Sequence, residues 1–288
     1  NMIPDSPVPG EYGYDTYGAF NCAGEQMPVH EDASNAISFI KKSHQQKKPF
    51  FINLWIHEPH TPFHTIPKYR WRFRHLKEAD NIYASVLSHA DERIGQVLDT
   101  LDQLGIAKNT LVVFSSDNGP ARASKPTELG LIHDTATGAG WGIAGAKGIT
   151  SGRKGYKGAL FEGGVAVPFI VRWPAKVAAG KIDKTSLLSA VDLLPTFCEV
   201  AGVELPKDYL PDGLSQVSAL MGKATEKRLK PLFWKHKSPY PASKTQPYHW
   251  ASYVIVHQQW KLLTNGRGDY QELYDIAADP FEKIDLKT

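Results

Sequence analysis

The chain has 288 residues, of which 42% are hydrophobic and 22% charged, an ordinary composition for a folded globular protein that excludes disorder as the starting assumption. A net charge of +3 is too small over this length to suggest a nucleic-acid or polyanion binder by field alone. Cys22 and Cys198 lie outside any CxxC pair and make no disulfide framework, and the longest apolar run, PFFINLWI at 49–56, is far too short for a membrane helix.

The N-terminal NMIPDSPVPGEYGYD shows no basic segment followed by an apolar run. From Glu31 to Gln46, apolar residues at Ala33, Ile37 and Ile40 predict an amphipathic helix. PFFINLWI follows, continuous enough to predict a strand covered on both faces. HEPHTPFHTIPKYR, with three prolines and three histidines, reads as a loop. Residues 79–104 carry Ile82, Val86, Ala90, Ile94, Val97, Leu101 and Leu104 at intervals of three or four, a helix with Gly105 as its stop. TLVVFSS at 110–116 predicts a second buried strand. The strand–helix–strand order points to a right-handed parallel crossover, hence an α/β fold with a mostly parallel sheet flanked by helices.

The glycine-rich stretch 117–164 has no convincing periodicity, and a loop of that length in a compact domain is commonly functional. VPFIVRWP predicts a short strand and VDLLPTFCEVAG a helix with Asp192 near its start, on whose apolar face Cys198 is expected as a buried core thiol. Beyond residue 222 the pieces PLFWK, WASYVIV, QWKLLT and QELYDI predict a small antiparallel α+β subdomain. The expected division is 1–222 and 223–288.

Three stretches carry chemistry. In SSDNGP, Asn-Gly is the favoured two-residue hairpin loop, but PARASKPTELGLIHD does not read as a returning strand. The alternative is a strand end that delivers Asp117 and Asn118 as oxygen donors for a hard cation, calcium or magnesium. Two oxygens do not complete a shell of six or more. HEPHTPFH offers His57, His60 and His64; the prolines forbid the helical spacing zinc pairs use, and His60 is the better catalytic residue, with loop polarity sufficient for His64. GRKGYKGALFEGG sets Arg153, Lys154 and Lys157 among glycines, where ammonium groups and backbone N–H donors can approach an anion. Together these describe a pocket for an anionic ester.

PFFINLWIHEPHTPF, LSHADERIGQVLDTLDQLG, TLVVFSSDNGP, KGALFEGGVAVPFIVRWP and QWKLLTNGRGDYQELYDIAADPFEK resemble, in order along nearly the whole chain, the formylglycine-dependent sulfatases of the alkaline phosphatase superfamily. The resemblance implies an alkaline phosphatase-like fold, Asp117 and Asn118 as calcium ligands, His60 at the leaving oxygen, and Lys157 bridging a sulfate oxygen, with Lys154 as its runner-up. His236 is the candidate for substrate contact. In such enzymes the formylglycine hydrate attacks sulfur, the alcohol leaves with a proton from histidine, and the hemiacetal sulfate collapses to sulfate.

The departure lies in the nucleophile. Neither NCAGEQM around Cys22 nor TFCEVAG around Cys198 matches the C-x-P-S-R motif from which formylglycine is made. The chain therefore resembles the C-terminal three-fifths of a sulfatase, and a fragment of a longer protein, inactive alone, or a chain that pairs with a missing piece or another copy, is expected. The expected activity is hydrolysis of aryl or carbohydrate sulfate esters, with a sulfated small molecule or glycan as partner and neither nucleic acid nor membrane. The alternatives are a phosphonate or phosphate ester hydrolase of the same superfamily and an inactive sulfated-glycan-binding fragment. A periplasmic or secreted location is what the resemblance implies.

Overall fold

The computed structural model describes residues 7–18, 31–60, 63–122, 131–134, 138–141, 148–223, 228–236, 242 and 247–287; Cys22 lies outside them. In chain order they form α1 (Asp32–Gln45), α2 (Pro67–Arg72), α3 (Glu78–Gln103), β1 (Val112–Ser115), β2 (Leu131–Asp134) and β3 (Gly138–Trp141). Then come α4 (Glu162–Val165), β4 (Phe169–Arg172), α5 (Leu193–Ala201), α6 (Val217–Leu220), β5 (Leu232–Lys235), β6 (Tyr253–His257), β7 (Trp260–Thr264) and β8 (Gln271–Asp275). The chain divides into two compact units, Asn1–Ala107 with Arg122–Lys147, and Lys108–Ala121 with Gly148–Thr288.

In the first unit the predicted periodicity of α3 is realised: Ile82, Val86, Ala90 and Leu101 are buried, and α1 contributes Ala33, Ala36 and Ile40. The chain leaves α3 through Gly105 at φ 70°, the left-handed geometry that ends a helix. Two expectations need correction. The loop reading of 57–70 ran too far, because Pro67 sits in the first turn of α2, where its missing N–H costs nothing. Asn81 of α3 ties down the end of α2 by donating from Nδ2 to the Arg70 carbonyl at 2.9 Å.

The second correction concerns the sheet. Residues 51–57 form no strand, and Phe51 and Trp55 are 58% and 77% exposed. Every ladder among the described residues is antiparallel, so the parallel crossover between 49–56 and 110–116 does not occur within them. An apolar run favours burial but forms a strand only where another backbone takes up its hydrogen bonds. The glycine-rich stretch contains the antiparallel pair β2–β3.

In the second unit β1 pairs with β4, from Val112 opposite Arg172 to Ser115 opposite Phe169. The predicted C-terminal pieces form one antiparallel sheet in the order β5-β6-β7-β8. Its core comprises Leu232, Val254, Val256, Leu263 and Tyr274, and against them lie Ala159, Leu160 and Phe161 from the glycine-rich stretch. Asp192, buried at the start of α5, accepts from Ser189 N, Leu214 N and the Arg228 guanidinium at 2.8–2.9 Å and so ties that helix to the segments before and after it. Cys198 is a free thiol and half-buried rather than buried. No helix among the described residues is long and apolar enough to cross a membrane.

Candidate active site

Strand β1 ends at Ser115, and its ladder partner is β4, which begins only at Phe169, so Asp117-Asn118-Gly119 is not the turn of a hairpin. The corner is instead clasped by the lysine loop. Gly119 N donates to Gly164 O at 2.8 Å and Lys157 N to Pro120 O at 2.9 Å. A Cβ on Gly119 would collide with the Gly163 carbonyl, and one on Gly163 with the carbonyls of Gly155 and Lys154. The two backbones therefore meet closer than any side chain permits. Gly163 N closes the loop onto Lys154 O at 2.7 Å.

Asp117 and Lys157 are exposed and Asn118 is half-buried, so a carboxylate, an amide and an ammonium are held on neighbouring backbone. Asp117 and Asn118 offer the oxygen donors a hard cation prefers, so they fit calcium or magnesium in kind. They do not fit it in number: among the described residues no group of three or more His, Cys, Asp or Glu side chains is placed to hold a metal.

Lys154 is committed elsewhere. Its Nζ donates to Tyr274 OH at 2.7 Å and to Glu272 Oε2 at 3.1 Å, and lies 4.6 Å from the centre of the Phe161 ring. Burial, and then the hydrogen bond to Glu272, push the Tyr274 phenol well above its usual range. His236 follows β5; its backbone N donates to Ser252 O at 2.9 Å, and its Nε2 is buried without a hydrogen bond among the described residues. His60 belongs to the first unit, where its N donates to His57 O at 2.9 Å and its ring lies edge-on to that of His57, 5.7 Å between centroids.

Two buried charge clusters beneath these loops were missed from sequence. Next to His57 and His60, Glu58 accepts from Arg93 of α3 at 2.7 Å, and Arg93 also reaches Asp32 of α1 at 3.1 Å. Burial raises the carboxyl pKa of both Glu58 and Asp32, against the opposing pull of Arg93. In the second unit Lys261, 0% exposed, binds Glu162 at 2.8 Å and Glu282 at 2.9 Å, while Glu282 also accepts from the backbone N of Glu162 at 2.7 Å. A lysine at the second position of β7 thus fastens the start of α4. The available signals were a charge on the apolar stripe of α3 and a lysine on the inward parity of QWKLLT.

Residues 6–203 match the sulfatase family, and residues 154–287 match the family described as N-sulphoglucosamine sulphohydrolase, C-terminal. The chain is 29% identical over 262 residues to N-acetylgalactosamine-6-O-sulfatase of Bacteroides thetaiotaomicron, covering 87% of this chain and 45% of that protein. It is 32% identical over 271 residues to human steryl-sulfatase, covering 87% of this chain and 42% of that one. The chain thus spans less than half the length of these curated relatives. Among solved structures, Ps i-CgsB in complex with k-i-k-neocarrahexaose superposes with a TM-score of 0.67 at 26% identity, over 90% of this chain and 50% of that one. The PsFucS1 sulfatase from Pseudoalteromonas sp. gives a TM-score of 0.61 at 21% identity, over 88% and 47%, a likeness of fold alone. The expected alkaline phosphatase-like class and the small antiparallel C-terminal subdomain are therefore borne out.

Proposed function

This chain belongs to the sulfatase family, and from that premise we propose that the protein it represents hydrolyses sulfate esters of carbohydrates or aryl alcohols. The observation that carries the reading is the clasp between the two loops, Lys157 N on Pro120 O at 2.9 Å and Gly119 N on Gly164 O at 2.8 Å. It supports a site where Lys157 neutralises a sulfate oxygen beside the Asp117-Asn118 corner. By its match to the family's histidine, and not by any placement against the second unit, His60 is assigned to protonate the departing alkoxide, so that the S–O bond breaks with release of a neutral alcohol. A calcium ion held in part by Asp117 and Asn118 would supply further positive charge to the sulfate oxygens.

The nucleophile in this reading is a formylglycine from outside these 288 residues. The division 1–222 and 223–288 is part of the proposal, with Lys154 and Glu162 joining the lysine loop to the smaller domain. His236 and Lys154 are assigned to the substrate side and to the support of that loop respectively.

The test is sulfate release from a chromogenic aryl sulfate by the full-length protein with calcium. Lys157→Ala and His60→Ala should each lower kcat/KM by about 100-fold or more, the scale of removing one charge-stabilising or proton-donating group. Unchanged turnover in both variants would overturn the assignment.

A further inference from the structure

Between Arg153 and Val165 every residue is buried or half-buried except Lys157, which is exposed. Lys157 stands at the tip of a β-turn. Ala159 N donates to Tyr156 O at 2.8 Å, and Gly158 takes φ 85°, the left-handed value that a type II turn requires at its third position. The turn thus offers one ammonium group to solvent, and how far that group wanders depends on what holds the turn from below.

A strap of three aromatic rings lies there. Residues 247–250 form a turn just before β6, and it carries Tyr248, His249 and Trp250. His249 is 7% exposed, and its ring centroid lies 5.3 Å from that of Tyr156, the residue before Lys157. Its Nε2 stands 3.4 Å from where a Cβ would be on Gly158, the residue after Lys157. One imidazole therefore lies against both neighbours of the lysine. Tyr248 flanks it, edge-on to Tyr156 at 6.0 Å and to Phe161 at 5.6 Å, and Trp250 meets Phe161 at 5.8 Å. Tyr248 and Trp250 join the core of the C-terminal sheet, and between them His249 meets the turn. The strap is itself fixed where it enters the sheet, since Ser252 donates to Thr264 O and accepts from His236 N, both at 2.9 Å.

We propose that His249 is a positioning residue for Lys157. The inference rests on the sulfatase reading above and deepens it. His249 is buried and acts through the backbone of the turn, without touching substrate. A lysine has a long flexible stem, so its ammonium meets a sulfate oxygen reproducibly only when its Cα is held still. The flat ring of His249 holds the turn from below. The hydrogen bond from Lys157 N to Pro120 O, at 2.9 Å, holds it from the side of the Asp117 corner. With both in place the lysine keeps its side-chain freedom but loses that of its backbone, which is what a supporting residue contributes to a charged group that must act at one point.

The experiment is a double-mutant cycle on sulfate release from a chromogenic aryl sulfate by the full-length protein, run below the melting midpoint of every variant. His249→Ala should lower kcat/KM by about 10- to 100-fold, the scale of a misplaced catalytic group. His249→Phe, which keeps a flat ring against the turn, should recover most of that loss. In the Lys157→Ala background His249→Ala should change kcat/KM less than about twofold, because a residue that acts through Lys157 then has nothing to position. A purely structural role gives the same fold loss in both backgrounds. That result would overturn the proposal, as would full activity in His249→Ala alone. Should His249→Ala fail to fold, the cycle is run with His249→Leu, which fills the space without the flat face and is read in the same way. Unchanged turnover in Lys157→Ala overturns the sulfatase reading and this proposal with it. A large loss in Lys157→Ala with an additive His249→Ala overturns this proposal alone.

Discussion

At Gly163 one hydrogen in place of a side chain decides whether the lysine loop can lie against the Asp117 corner. A methyl group there would meet the carbonyls of Gly155 and Lys154, both backbone atoms that cannot swing aside. Gly163→Ala is therefore expected to destabilise the protein by about 1–3 kcal/mol, the range of overpacked sites. A thermal melt reads this as a drop of several degrees, and an unchanged midpoint would mean that the loop has room to move. The glycine itself was plain in the sequence. Which carbonyls it faces was not, because Gly155 and Gly163 are eight residues apart and their approach is set by the hydrogen bond Gly163 N to Lys154 O.

Among the elements, α3 was legible from end to end because a 3.6-residue repeat records one buried face directly. Arg93 interrupts that face, and the interruption becomes intelligible only with Glu58 and Asp32 beside it. Arg93→Met leaves two buried carboxylates without their cation and should cost about 3–5 kcal/mol. Adding Glu58→Gln should recover a large part of the loss, and melts of the single and double variants measure the coupling. The same cluster has a definite pH dependence. Burial raises Glu58 above 4.5 and Asp32 above 3.8, so each contributes stability that is fully present below those values and fades as pH rises through the folded-state pKa. In Glu58→Gln the melting midpoint should fall less steeply as pH increases across that window.

For the whole molecule, the C-terminal sheet is more than an appendage to the second unit, since Ala159, Leu160 and Phe161 complete its core and Lys261 holds Glu162 and Glu282. Lys261→Met should release the loop that carries Lys157. The measurement is amide exchange across 154–165, where faster exchange is expected in the variant; protection equal to wild type would show that the apolar contacts suffice. Burial raises the Glu282 carboxyl, so Glu282→Gln in the Lys261→Met background should restore part of the protection by removing a stranded charge.

Features that depend on local order can be read along the chain. The amphipathic helices are set by period, the short C-terminal strands by alternation and turn residues, and the family by motifs whose spacing survives along the chain. Features that depend on distant partners needed the folded chain. It showed that 51–57 forms no strand among the described residues, that Lys154 belongs to Glu272 and Tyr274, and that Pro67 opens a helix inside an expected loop. The physical reason is the same in each case. Side-chain periodicity is carried by neighbours in the chain, whereas hydrogen-bond pairing, charge burial and close backbone approach are settled by residues tens or hundreds of positions away.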